Sequence, residues 1–505
     1  MTQLVAIDLG SNSFRLEIGT LINGQLTLGE YLKETVRQGN GLDSDRVLSD
    51  QAMQRGWSCL ARFAERLKGF KAQQVRAVAT QTLREARNRD VFLNHAQTIL
   101  GFPIDVISGK EEARLIYVGV SHTLPQSTER RLVIDIGGRS TELILGQGYH
   151  AGVMDSFRVG SVSLSMRYFA DGSMSEQQFK QAEVAAKAIF DEAAEIYHTD
   201  AWDLAYGSSG TIGAIHDILI HAGRMDRSEK IKLKDVDWLI KQLIAAKHID
   251  KLNLAGLKDE RKAVIPGGIC ILKALFSLLK LNSINATVGA LRHGVLFNMV
   301  ERESSESDVR NETISALINR FKIDELHGQR VCKTALCLLS EFYKSLQNNT
   351  LNSESQTLAQ KILWAANLHE IGCIVSHSDH HKHGSYIVSN SDALGFSQQE
   401  LINTSMLILG QKGKLRKLNL DFTDVLFLNQ LICLRLAVIL CHARHEPLME
   451  NLIFVALTTA HGATCGAKLI VPYAWAVAYP QSLHLLKLEA GAWEKTTYTF
   501  ELLVT

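Results

Sequence analysis

The sequence predicts an α/β protein built around a duplicated unit, and three observations carry that prediction. Strand-like and helix-like segments alternate through the first half of the chain. The layout of LVAIDLGSNSFRLEIG at 4–19 returns in LVIDIGGRSTELIL at 132–145. In both copies an apolar strand ends on an aspartate (Asp8, Asp135), turns on glycine and resumes after hydroxyl-bearing residues. A cleft between two such units would set the acidic turns face to face.

In chain order, 4–9 and 15–22 read as strands, and GQLTLGEYLKETVRQGNGL continues in short strand-like pieces. From Ser49 the apolar spacing is helical, with Ser49 as N-cap and Gly69 as C-cap. QVRAVATQTLREA is a strand, a turn at 80–82 and a helix start. PIDVISG is a strand, and GKEEARLIYVGVSHTL a helix. After the second acidic turn come a helix over 175–198, the strand DLAYGSSG and a helix opening TIGAIHDIL. ETISALINRFKID, VCKTALCLLSEFYKSL and QTLAQKILWAANLHEIG are amphipathic helices. ATCGAKLIVPYAW, LHLLKLE and TTYTFELLV read as terminal strands. The linker-like stretches are 301–311, 121–131 and the loop 347–356.

The totals restrict the function classes. With 505 residues, a prior of roughly 150 per domain gives three or four domains. A net charge of +1 advertises no polyanion, so phosphate binding must come from local geometry. Eight scattered cysteines without a CxxC pair suit reduced thiols in the cytoplasm. No signal peptide is expected, and no apolar run approaches the roughly 18 residues of a membrane helix.

Gly turns with hydroxyls and an Asn let backbone N–H groups approach an anion, and a strand-end Asp suits Mg²⁺. A third turn, GSSGT at 207–211, ends a strand and opens a helix; it reads equally as an anion cradle or an ordinary cap. Glu111 and Glu112 begin a helix, where carboxylates also simply complement the dipole. If Glu112 and Glu142 face one pocket, one polarises a water while the other joins Asp135 on a metal. Arg84 is a candidate phosphate clamp; its spacing alone also fits a solvated helix residue.

AIDLGSNSF, VATQTLREA, VISGKEEARLIY, VIDIGGRSTEL, YGSSGTIGA and ALRHGVL together resemble the exopolyphosphatase/guanosine pentaphosphate phosphatase family. The resemblance covers 4–300 and continues more weakly through LHEIG and HHKHGSYIVSNSDALGF. It implies two ribonuclease-H-like domains of the actin-like superfamily at 1–124 and 125–304, a helical HD-like domain at 305–430, and a small α+β part at 431–505. It implies catalytic roles for Glu112 and Glu142, and metal ligands in Asp8, Asp135 and Glu142, with Mg²⁺ as cofactor. It implies substrate contacts at Asn12, Ser13, Arg84, Gly137, Gly138, Arg139, Ser140, Thr141, Gly207, Ser208, Ser209 and Gly210. The expected activity is release of terminal orthophosphate from inorganic polyphosphate, with guanosine pentaphosphate hydrolysis as the alternative. A homodimer without nucleic-acid or membrane partners is expected.

Two positions depart from the family pattern. Arg139 stands where Gly or Ala is usual; it would crowd a phosphate or supply a cation, and costs energy if φ is positive. His293 stands where Glu is usual. A superfamily kinase and a non-catalytic polyphosphate- or alarmone-binding regulator are the competing classes. An HD metal site needs a His, a His-Asp pair and a later Asp. Here the pair is His369-Glu370, after His327, and His377, His380, His381 and His383 follow. The cluster reads as a metal site or, the preferred reading, as a polar loop in a domain that kept the architecture without the metal. The basic run KGKLRK at 412–417 reads as a solvated loop, or as part of a path for a long polyanion.

Overall fold

A computed structural model describes residues 2–302, 308–346, 353–415, 418, 420–459 and 463–505. The chain forms two compact units, one comprising 1–308 with 392–397, the other 309–391 with 398–505.

The first unit opens with β1 (Thr2–Leu9), β2 (Ser13–Ile22), β3 (Gln25–Thr35), α1 (Asp50–Arg66) and β4 (Val75–Ala79). It continues with α2 (Gln81–Glu85), α3 (Arg89–Leu100), β5 (Ile104–Val106) and α4 (Gly109–Thr123). The strand order is β3-β2-β1-β4-β5; β1 pairs antiparallel with β2 and parallel with β4. Leu4–Leu9 is buried throughout, as a central strand covered on both faces must be. Ser49 caps α1, accepting from the N–H of Ala52 at 3.4 Å, and Gly69 takes φ +91° just beyond the helix.

The plan then repeats with β6 (Arg130–Ile136), β7 (Thr141–Gln147), β8 (His150–Phe157), α5 (Ser161–Tyr168), α6 (Glu176–Phe190) and α7 (Ala193–Ile196). There follow β9 (Leu204–Ser208), α8 (Ser209–His221), α9 (Leu233–Ala246), α10 (Ile265–Leu278), β10 (Asn285–Ala286) and α11 (Leu291–Arg302). The order β8-β7-β6-β9-β10 matches the first sheet strand for strand, both in the ribonuclease-H-like arrangement. The expected helix over 175–198 is two helices, broken between Phe190 and Ala193. Each sheet has its own apolar core. A third core, carried by α4 and α11, holds Ala6 and Val78 of one sheet against Val133 and Ile144 of the other.

The second unit contains α12 (Val309–Phe321), α13 (Glu325–Ser345), α14 (Ser353–Asn367), α15 (His380–Ser389), α16 (Gln398–Gly410) and α17 (Val425–Leu440). β11 (Ile453–Thr458), β12 (Thr464–Val471), α18 (Tyr473–Ala478), α19 (Pro480–Trp493) and β13 (Thr499–Val504) complete it. The expected boundary at 430/431 falls inside α17. LHLLKLE is not a strand. It lies in α19, where Ser482, Leu486, Glu489 and Trp493 recur at helical spacing on the buried side. Glu489 is fixed there by Arg435, at 2.5 and 2.7 Å. Likewise PYAW leaves the strand, because Pro472 ends β12 and caps α18. The loop expected at 347–356 gives way to helix from Ser353; 347–352, the linker residues 303–307, and Arg416 and Lys417 of the basic run lie outside the described residues. No helix among the described residues is long and apolar enough to cross a membrane.

Candidate active site

β1 and β6 hold equivalent places in their sheets, so their carboxyl ends deliver the two acidic turns to one cavity of about 380 Å³. Asp8, Asn12, Ser13, Glu112, Asp135, Gly137, Gly138, Ser140, Ser209 and Gly210 all line it. The turns nearly touch. A Cβ added at Gly138 would meet the Ser11 Cβ at 2.9 Å, so only glycine lets the second turn approach the first. The second turn closes by a hydrogen bond from the N–H of Gly137 to the carbonyl of Ser140, 2.9 Å. In the first, Thr82 donates to the Ser11 hydroxyl at 2.8 Å, and the buried Asn12 side-chain oxygen has no hydrogen-bond partner among the described residues. In the third, Ser209 sits at φ +88°, and its hydroxyl accepts from the N–H groups of Thr211 and Ile212. It therefore caps α8 while facing the cavity.

The electrostatics follow from strand register. Asp8 lies opposite Arg15, and their side chains pair at 2.7 Å. Asp135 lies opposite Glu142 at the equivalent place in the second sheet. Two like charges directly across a strand pair oppose each other. Burial pushes Asp135 up to about 6, against the pull of Ser208 and Arg15. Glu142 is pushed well above the carboxylate range by burial, then by the charges of Glu112 and Asp135; Ser156 donates to it at 2.8 Å. Glu112 enters from the first turn of α4, which Ser108 caps by accepting from the N–H of Glu111 at 3.1 Å. Burial pushes Glu112 up to about 7, against the attraction of Arg84, which bonds it at 3.1 Å. Among the described residues these four buried carboxylates are ion-paired with two guanidiniums, Arg15 and Arg84. Oxygen donors with such an excess of negative charge fit a hard divalent cation.

Several expected contacts are placed elsewhere. Arg84 does not line the cavity; its donors are spent on Glu112, the Ile107 carbonyl (2.8 Å) and Gln81. Arg139 turns away from the cavity to the Gly39 carbonyl at 3.0 Å and to Glu85 at 3.4 Å. Held there, its side chain stays out of the cavity, and its φ is not positive, so it does not strain the turn. Gly207, Ser208, Thr141 and Glu142 stand behind the lining. Thr141 donates to Val159 at 2.7 Å, Ser208 to Gly289 at 2.7 Å, and Gly207 packs on Ile212 and Ile284. His293 is buried against Glu17 at 3.1 Å, beside Arg292.

Sequence reasoning passed over the cations of the rim. Arg15, Lys33, Lys258, Arg261 and Arg292 line the cavity. Lys33 pairs with Glu260 at 2.6 Å, and Arg292 lies over the Tyr31 ring at 4.5 Å. Arg261 is only 8% exposed, and its guanidinium has no hydrogen-bond or ion-pair partner among the described residues. Burial, then the charge of Arg15, push it down to about 10. A buried, unpaired guanidinium open to a cavity is costly unless an anion joins it. One signal could have found Arg15: it follows Asp8 by the same seven residues that separate Asp135 from Glu142.

Comparison with known proteins agrees with this geometry. The model described as the Ppx/GppA phosphatase family matches residues 22–303, and its domain III model matches 309–476. A Pseudoalteromonas translucida (strain TAC 125) protein named guanosine-5'-triphosphate,3'-diphosphate pyrophosphatase is 41% identical over 451 residues, 88% of either chain. One of the same name from Aeromonas salmonicida (strain A449) is 36% identical, over 99% of this chain and 98% of its own. The crystal structure of an exopolyphosphatase from Cytophaga hutchinsonii is 26% identical, with a TM-score of 0.55, over 60% of this chain and 98% of that one. By sequence along nearly its whole length, and by the fold of its first unit, this chain belongs to the Ppx/GppA phosphatase family.

Proposed function

We propose that this chain cleaves the terminal phosphoanhydride bond of a phosphate chain and releases orthophosphate. The observation that carries this reading is the meeting of two glycine turns at one cavity whose wall includes a buried glutamate held near neutrality. Amides of the turns at Ser11–Ser13 and Gly138–Ser140 receive the terminal phosphate. Arg15, Lys33, Arg261 and Arg292 neutralise the phosphates behind it. Glu112 accepts a proton from water as the water oxygen bonds to phosphorus. The bridging P–O bond breaks, and the shortened chain leaves with the electron pair. A base near pH 7 is matched to that transfer. Arg84 holds Glu112 in place. Asp8 and Asp135 on the lining, with Glu142 behind them across the strand pair, would hold Mg²⁺, which when bound supplies positive charge to the phosphoryl oxygens.

Inorganic polyphosphate is the substrate that makes the least demand on the cavity, since phosphates alone are recognised. Guanosine pentaphosphate is the second reading, and the names of relatives 36–41% identical to this chain favour it. Phosphate release measured side by side on the two substrates, with and without Mg²⁺, tests the proposal. Release from either, dependent on Mg²⁺, is expected; release from neither overturns it. A cytoplasmic homodimer belongs to this reading, and eight unpaired cysteines support the reducing compartment.

A further inference from the structure

The histidines that follow α14 read in sequence as a polar loop or a metal site. The fold adds a thiol to them. Cys373 lies in the single turn Ile371–Ile374, and His380 opens α15. The Cys373 Sγ stands 3.7 Å from the His377 Nδ1. Ligand atoms of Cys373, His377 and His380 all fall within 4.8 Å of one another. In a tetrahedral zinc site with Zn–S about 2.3 Å and Zn–N about 2.0–2.1 Å, sulfur and nitrogen ligands lie roughly 3.6 Å apart. The observed pair already has that separation.

We propose that Cys373, His377 and His380 form a binding site for a zinc-class divalent cation, its fourth position left to water.

The scaffold favours it. A Cβ at Gly372 would meet the His380 carbonyl oxygen at 2.0 Å, so glycine there lets the turn carrying Cys373 pack directly on the start of α15. The His380 Nδ1 lies 3.2 Å from the His377 carbonyl; donating there leaves Nε2 with its lone pair for a metal. His377 is exposed while Cys373 and His380 are half-buried, which gives an ion a way in from solvent. One thiolate with two imidazoles selects a softer ion than the carboxylates of the catalytic cavity do. The nearby His327–His369–Glu370 group is a weaker candidate: Arg444 already bonds Glu370 at 2.6 Å and supplies the positive charge a metal would bring.

Titration of the full chain with Co²⁺ tests the site, because only a thiolate ligand gives a near-ultraviolet sulfur-to-cobalt charge-transfer band. A band saturating at one equivalent is expected, displaced by Zn²⁺ and unchanged by excess Mg²⁺. Cys373→Ser should abolish it, and His327→Gln should leave it. His377→Gln should weaken binding by more than the roughly 10–100-fold that loss of a mere supporting hydrogen bond costs. Absence of the band, or its persistence in Cys373→Ser, overturns the proposal. Should Cys373→Ser not fold, peptide mapping of the wild-type protein decides. Zn²⁺ protecting Cys373 but not exposed Cys337 from alkylation supports the site, and equal alkylation of both overturns it.

Discussion

Glu112 carries a protonation poise that its neighbours impose. Burial opposes its charge and Arg84 restores part of it, leaving a carboxyl near 7. Two of its neighbours were legible in the sequence, since Asp135 and Glu142 belong to the repeated motif. The cavity's cations were harder to read: Arg15 is marked only by its seven-residue spacing from Asp8, and Arg261 arrives from a turn distant in sequence. Arg139 shows the converse limit. Its position in the turn was plain, but the direction of its side chain depends on Gly39 and Glu85, which no local pattern supplies. The closeness of the two turns rests on Gly138. Gly138→Val should cost about 1–3 kcal/mol through overpacking against Ser11 and Val162, read as a lower denaturation midpoint, and should reduce phosphate release further. An unchanged midpoint and rate would mean the turns have room to part.

α4 is the element that aims Glu112, and its first turn is held from several sides. Glu111, beside Glu112, is fully buried; Arg114 donates to it at 2.8 and 2.9 Å, and the N–H of Gly395 at 2.7 Å. Gly395 belongs to 392–397, a short segment from late in the chain that packs with the first unit. Sequence alone gave Glu111 an ordinary place in the helix dipole, because a partner almost 300 residues away leaves no local trace. Glu111→Ala should strip the buried Arg114 of its hydrogen-bonded carboxylate, leaving it the weaker attraction of Glu301 and Asp308, at a cost of about 3–5 kcal/mol in denaturant unfolding. A loss under about 1 kcal/mol, the worth of a solvated pair, would contradict this. In the second unit, His369 is pushed down to about 4, chiefly by burial, with His327 and His380 adding to it and Glu370 and the Ala366 carbonyl opposing. Its folded value lies below its ordinary 6.5, so the unfolded chain takes up the proton first as pH falls. Stability is therefore present above about 6.5 and lost progressively down to about 4. Thermal melts across that window should show the fall, and His369→Gln should flatten it; parallel slopes would refute the assignment.

At the scale of the molecule, duplication explains why the site exists. Two sheets of one order, each ending its first strand on an aspartate, oppose their turns, and α4 and α11 fill the space between the sheets. This was readable because the motif repeats with its strands in register, and period-2 and period-3.6 patterns are local properties. What local patterns miss is the end of the chain. LHLLKLE alternates well enough to pass for a strand, and only the burial of Leu486 and Glu489 beside α17 makes it helix. The central claim is that the cavity between the paired turns performs hydrolysis with Glu112 as base. Its most direct test is Glu112→Gln, nearly identical in shape, assayed for phosphate release and for polyphosphate binding in parallel. Release should fall by about 10²–10⁴-fold while binding stays within a few-fold of wild type; release at the wild-type rate would contradict the account.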